Sequence, residues 1–175
     1  MREFHPIDIK DLDLNAWKTI GEDWLLVTAG GKKHHNTMTI SWGAFGEHWN
    51  RPTVTVMLRP QRYTRGFVEK REKFSISILS QTDDTKKKLA YLGRVSGRDE
   101  NKLEKVDLHY NRMDKVPSIQ EAEYVINCKV IYRDQINKDN FILPDLAKEH
   151  YPEKDYHYIY IGEIVSVYKA VEVEE

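Results

Sequence analysis

Residues 34–64 concentrate side chains suited to holding a flat, aromatic, anionic ligand. In His34-His35-Asn36-Thr37-Met38-Thr39-Ile40-Ser41-Trp42-Gly43-Ala44-Phe45-Gly46, small hydroxyls alternate with Met38, Ile40 and Trp42 before two glycines release the backbone. The stretch continues through Trp49 and Pro52 into a β-favouring run that ends in Arg59-Pro60-Gln61-Arg62-Tyr63-Thr64. A ring system of this kind needs apolar or aromatic walls, with hydroxyl and backbone groups for its heteroatoms. Its anionic tail needs arginine, hydroxyls or free backbone N–H groups. Thr39, Ser41, Trp42 and Gly43 offer the first set. Arg59, Arg62, Tyr63 and Thr64 offer the second, from the start of a following helix. Each residue alone also has a plainer use: Trp42 and Trp49 as core or hairpin aromatics, and Arg59, Arg62 and Arg98 in surface ion pairs.

Taken together, four ordered motifs narrow the reading. They are Asn36-Thr-Met-Thr-x-Ser-Trp-Gly43, Arg59-Pro-Gln-Arg-Tyr-Thr-x-x-Phe67, Ser96-Gly-Arg-Asp-x-x-Lys102 and Tyr160-Ile-Gly-Glu-Ile164. In this order the chain, from about residue 15 to about residue 167, resembles the flavin reductase-like family, its flavoredoxin-type members in particular. Two positions depart from the family pattern. Ile40 stands where a small residue is frequent, and Leu103 where an aromatic is common, but no polar ligand group is lost.

The resemblance implies a mainly β, antiparallel, Greek-key-like split barrel with short helices, binding FMN near a homodimer interface. It implies that Asn36, Thr37, Met38, Thr39, Ser41 and Trp42 bind the cofactor, and that hydroxyls and N–H groups around Met38–Ser41 stabilise charge on the reduced ring. Arg59, Arg62, Tyr63, Thr64, Ser96, Gly97 and Arg98 would hold the phosphate, and Lys102 would add positive charge at one end of the cofactor. His157 begins the last strand, where some flavin reductases place a histidine near the nicotinamide or flavin. A histidine capping a strand edge is the plain alternative. The implied activity is NAD(P)H:flavin oxidoreduction, with the cofactor performing the chemistry and no protein nucleophile required. A flavoredoxin-like relay, fed by a redox partner protein instead of NADH or NADPH, is the second reading. A split barrel binding haem or pyridoxal phosphate is the third.

The elements that must position these groups follow from local pattern. Residues 1–14 read as an extended lead-in. Asn15 caps a short helix, Ala16 to Ile20, that Gly21 ends. Trp24 to Ala29 and Thr37 to Trp42 form a hairpin across Gly30-Gly31-Lys32-Lys33. Thr53 to Leu58 alternates with period two, and Pro60 stops that strand. Tyr63 and Phe67 mark one face of a helix reaching about Arg71. Phe74, Ile76 and Ile78 give another strand. Thr82 caps a helix through Leu89 and Leu92, whose Lys86-Lys87-Lys88 is a solvated face. Glu100 to Val106 reads as a short helix, Ile119 to Arg133 as one long strand, Leu146 to Tyr151 as a helix and Tyr156 to Tyr168 as the last strand. Without regular βαβ spacing, these elements favour an antiparallel barrel over a doubly wound sheet.

Composition closes off other classes. At 175 residues with 40% hydrophobic content, the expectation is one domain spanning 1–175 with a sizeable core. A net charge of −1 provides no field for nucleic acid or an anionic membrane. The one cysteine, Cys128, makes no internal disulfide and reads as a small buried hydrophobe. His34-His35 lacks a third ligand at metal spacing. Gly43-x-x-Gly46 is not a dinucleotide fingerprint, nor is Gly93 to Arg98 a Walker loop. With no apolar leader and no stretch long enough to span a bilayer, a cytoplasmic location is expected.

Overall fold

A computed structural model describes residues 2–173. Its organising strand is β10 (Tyr158–Glu172), which runs the full width of the sheet and has three antiparallel partners. One side pairs with β9 (Ala122–Gln135), from Tyr158 to Lys169. The other side pairs first with β5 (Arg51–Leu58), through Tyr158 to Glu163, and then with β1 (Arg2–Ile7), through Val167 to Glu172. Register breaks at Ile161/Gly162 and Ile164/Ser166 let one strand serve both neighbours, since an unpaired residue bends a strand and increases its twist. Around it the order is β3-β2-β6-β9-β10-β5-β4, with every pairing antiparallel. The remaining members are β2 (Leu25–Gly30), β3 (His35–Ile40), β4 (Gly43–His48) and β6 (Lys73–Leu79). The sheet curls into a split β-barrel.

Two apolar clusters hold it. Val27, Met38, Val56, Phe74, Ile126 and Tyr160 belong to the barrel interior. Leu26, Leu79, Leu89, Leu92, Leu103 and Ile119 pack outside the sheet. Strand β2 is buried on both faces because Val27 points to the first cluster and Leu26 to the second. Helix α2 (Asp83–Arg94), capped by the Thr82 hydroxyl accepting from the Thr85 N–H at 3.1 Å, carries Leu89 and Leu92 into the outer cluster. Helix α1 (Tyr63–Arg71) seals the barrel with Val68, which is fully buried.

Several expected elements take a different form. The lead-in contains strand β1. The Asn15 cap forms, its side-chain oxygen accepting from the Lys18 N–H at 3.1 Å, but Gly21 does not end the turn. A wide π-helical turn continues over Lys18–Asp23. Strand β4 arises where glycines suggested release. Gly43 fits because any Cβ there would lie 2.4 Å from the Thr55 carbonyl oxygen. Trp49 and Asn50, both at positive φ, then make the two-residue turn into β5. The helix expected over Glu100–Val106 shrinks to a single 3-10 turn, Glu104–Val106, because Lys102, Leu103 and Leu108 must all be buried and Asp107 turns left-handed between them. The long strand is interrupted at Gln120–Glu121. Before the break, β8 (Val116–Ile119) pairs with β7 (Tyr110–Met113) through another positive-φ turn at Asp114 and Lys115. Helix α3 (Pro144–His150) starts two residues earlier than expected, at a proline suited to a helix's first turn.

The bend in β10 presses its backbone onto the core. A Cβ on Gly162 would lie 2.7 Å from Phe74 Cζ and 2.8 Å from Cys128 Cβ. Gly162→Ala is therefore expected to destabilise by about 1–3 kcal/mol through overpacking. Gly46→Ala on β4, with nothing within 4 Å, serves as the neutral control in urea unfolding.

Candidate functional site

Two contiguous clefts of about 250 Å³ each open where β3, the end of β5 and the α2–Lys102 loop converge. Met38, Arg59 and Arg62 line both. The first cleft is also lined by Asn36, Thr64, Arg94, Gly97, Arg98 and Lys102. Its walls hold five cationic side chains, Arg59, Arg62, Arg94, Arg98 and Lys102, and no carboxylate. The second is walled by Thr39, Ile40, Ser41, Trp42, Met57 and His157. The arrangement offers an anion trap joined to a mixed apolar and hydroxyl slot.

The cationic cleft is built from helix ends. Helix α1 begins at Tyr63 without a side-chain cap, so its first N–H groups are free to face an anion. Asn36, nearly buried, ties β3 to this end by donating from Nδ2 to the Thr64 hydroxyl at 2.8 Å. The backbone of Gly97 lies directly on Asn36, where a Cβ would sit 2.0 Å from Oδ1. Opposite, α2 ends with its carbonyls toward the cleft. Lys102 Nζ donates to the carbonyls of Leu92 and Val95 at 3.0 and 3.1 Å, and Arg62 donates to that of Gly93 at 2.7 Å. Burial, and then the charge of Arg62, pulls the Lys102 pKa down to about 8. Arg94 and Arg98 are the available cations: among the described residues Arg94 has no hydrogen-bond or ion-pair partner, while Arg98 lies over the Tyr63 ring at 4.6 Å and donates only to the Gln61 carbonyl, at 3.1 Å. The Ser96 hydroxyl accepts from the Arg98 N–H and shapes the turn.

The structure gives several expected ligands prior commitments. Thr37 is fully buried, its hydroxyl accepting from Thr28 and donating to the Val27 carbonyl, and it lines neither cleft. Thr39 lines the slot but donates to the Leu89 carbonyl at 2.6 Å, anchoring α2. Arg59 is held by the segment between β9 and β10: it pairs with Asp155 at 2.7 Å, donates to the His150 carbonyl at 3.0 Å and stacks on Tyr151 at 5.1 Å. Ser41 and Trp42 follow the end of β3. The Trp42 ring meets His150 at 5.2 Å and His157 at 5.1 Å. Arg94 and Gln61 also line the cleft, and Tyr151 and Asp155 support it; none was expected from the sequence. Arg94 could have been found from its place in the last turn of α2, two residues before Ser96-Gly97-Arg98. Tyr151 and Asp155 carry no local signal, since only the fold returns residues 150–157 to β5. His35 packs edge-on to Tyr110, and among the described residues no cluster fit for a metal occurs.

His157 is nearly buried, and its Nδ1 lies 2.8 Å from the Tyr151 hydroxyl. Burial, with Arg59 next, lowers its pKa from 6.5 to about 4. The unfolded chain thus takes up this proton near pH 6.5 and the folded protein only near pH 4. The contribution to stability is complete above pH 6.5 and is lost as pH falls toward 4. Unfolding free energy measured across that window is expected to fall with pH, and His157→Gln is expected to flatten this part of the profile.

Known proteins with this architecture are informative. Solved structures that superpose include flavoredoxin of Desulfovibrio vulgaris (Miyazaki F), 24% identical with a TM-score of 0.62, covering 94% of this chain and 77% of that one. Flavoredoxin from Methanosarcina acetivorans is 22% identical with a TM-score of 0.61, covering 84% and 68%. An FMN-binding domain of a flavin reductases-like enzyme from Shewanella baltica OS155 is 18% identical with a TM-score of 0.65, covering 96% and 78%. No curated protein matches the sequence. The model of the flavin reductase like domain matches residues 18–175, nearly the whole chain and all four motifs, and the chain therefore belongs to the flavin reductase-like family.

Proposed function

We propose that the protein is an FMN-binding flavoprotein that accepts hydride from NADH or NADPH and passes the electrons on. The observation that carries this reading is the junction of the acid-free cationic cleft with the Met38–Trp42 slot, matching the two ends of a flavin mononucleotide. The donor set fits the group. Arg98 and the open start of α1 suit a phosphate, while Met38, Trp42 and the Ser41 hydroxyl suit a ring with polar edges. When bound, the flavin supplies the hydride and electron chemistry. The chain's own residues orient it, supply donors at its polar edge and exclude water with Trp42 and the 136–157 segment. FMN is favoured over FAD because the phosphate cleft is small, about 250 Å³.

Pyridine nucleotide has no Rossmann fingerprint to bind, so it would dock over an open flavin face with few contacts and weak affinity, toward the upper end of ordinary KM values. A homodimer fits the same reading: Trp17 (87% exposed), Ile20, Phe45 and Trp42 line an apolar groove of about 530 Å³ beside the slot, a surface suited to a second copy. Light scattering tests it. The relay alternative draws on the likeness to flavoredoxins.

Arg98→Ala is expected to weaken FMN by about 1.5–3 kcal/mol, as for a charge-assisted bond, and riboflavin, which has no phosphate, hardly at all. Arg59→Ala and Lys102→Met should weaken both ligands alike, because each holds neighbouring structure. Fluorescence titration separates these outcomes, and equal losses for Arg98→Ala would make Arg98 structural. Anaerobic mixing with millimolar NADH or NADPH should bleach the bound flavin stoichiometrically. Reduction by dithionite or a ferredoxin, but by neither nucleotide, would assign the protein to electron relay instead.

A further inference from the structure

Tyr151 ends α3 with its phenol sealed from bulk water at 5% exposure, between Arg59 at 5.1 Å and Tyr156 at 4.8 Å. A buried hydroxyl must give its proton to an acceptor, and the side-chain acceptor within reach is His157 Nδ1, at 2.8 Å. Among the described residues Nδ1 is the one partner of the phenol, so the O–H points at Nδ1. If Nδ1 donated instead, the phenol proton would be buried without a partner. The second imidazole nitrogen, Nε2, has no protein partner among the described residues and is not one of the buried unpaired atoms, so it opens to the slot that His157 lines with Trp42 and Met57.

We propose that Tyr151 is a positioning residue that fixes His157 as the neutral Nε2–H tautomer, so that the slot is offered a hydrogen-bond donor rather than an acceptor or a cation. Arg59, Arg62 and Asp155 are the charged groups acting on this imidazole, and the two arginines resist its protonation. The chemical consequence concerns what the slot accepts: an electron-rich heteroatom, such as a carbonyl oxygen, is complemented there, and a protonated amine is not. That the occupant is a flavin or its nucleotide substrate rests on the function proposed above. The tautomer does not.

The test uses flavin-free protein, so its outcome is separate from the fate of the flavin reading. Histidine nitrogen NMR should show His157 with the proton on Nε2 and a hydrogen-bonded, unprotonated Nδ1. In Tyr151→Phe the donor to Nδ1 is removed and the neutral form loses its support. The His157 titration midpoint is then expected to move upward by roughly 0.5–1 pH unit, the equivalent of one hydrogen bond. Tyr156→Phe, which keeps the ring packing on Tyr151 and has no hydroxyl contact with His157, should leave the midpoint in place. A downward shift in Tyr151→Phe would mean that Nδ1 donates, and would overturn the assignment. So would an unchanged midpoint, or equal shifts in both variants, which would make Tyr151 a packing residue only.

Discussion

The closing of the C-terminal end of α2 is the constraint on which the candidate site depends. A helix that finishes beside an anion site presents carbonyl oxygens, and left bare they would repel the ligand. Lys102 and Arg62 take the carbonyls of Leu92, Val95 and Gly93, turning an electronegative helix end into a cationic wall. Burying an ammonium is costly, and the depressed Lys102 pKa records that cost. In return the 95–98 loop is drawn close enough for Gly97 to rest on Asn36, which in turn holds Thr64 at the start of α1. Three segments far apart in sequence are thereby locked around one small volume.

The far wall is built on another principle. Residues 136–157 leave the sheet after β9 and return to β10, and their docking on β5 relies on Asp155, which is gripped by Arg59 at 2.7 Å and by the Gln61 amide at 2.8 Å. A carboxylate therefore sits behind the cleft and takes up the charge of Arg59, leaving Arg94 and Arg98 as the cations with least prior commitment. Counting arginines in a motif overstates the charge available to a ligand, because some of them are spent on architecture.

That distinction explains what could be read from the sequence. Period-two alternation in Thr53–Leu58 and Phe74–Ile78, the Thr82 cap and the Tyr63–Arg71 helix are local signals, and the structure contains all of these elements. The glycine-bearing strand β4 was hidden because Gly43 is there for a close backbone approach, a property of the partner strand and not of its own segment. The shortened helix after Glu100 and the turn at Gln120–Glu121 were hidden for a related reason, since burial of Leu103, Leu108 and Ile119 in the outer cluster overrides local propensity. In the site, the motifs delivered the residues on β3 and α1 and in the α2 loop. They did not separate ligand-facing groups from groups such as Thr37, whose hydroxyl turns toward β2. They also gave no hint of Tyr151 or Asp155, which the fold alone returns to the site.

The pairing of β1 with the second half of β10 sets Arg2 opposite Glu172, joined by a side-chain hydrogen bond of 2.6 Å across a sequence separation of 170 residues. A ribosome therefore releases β1 long before its partner exists, and β1 must wait as an unpaired edge until β10 has been made. Its sequence suits that wait: Arg2, Glu3, His5 and Pro6 break any apolar run and discourage pairing with strands of other chains. Closure of so distant a contact comes late, after the barrel has formed locally, so β1 acts as a latch that can be set only once β10 has been made.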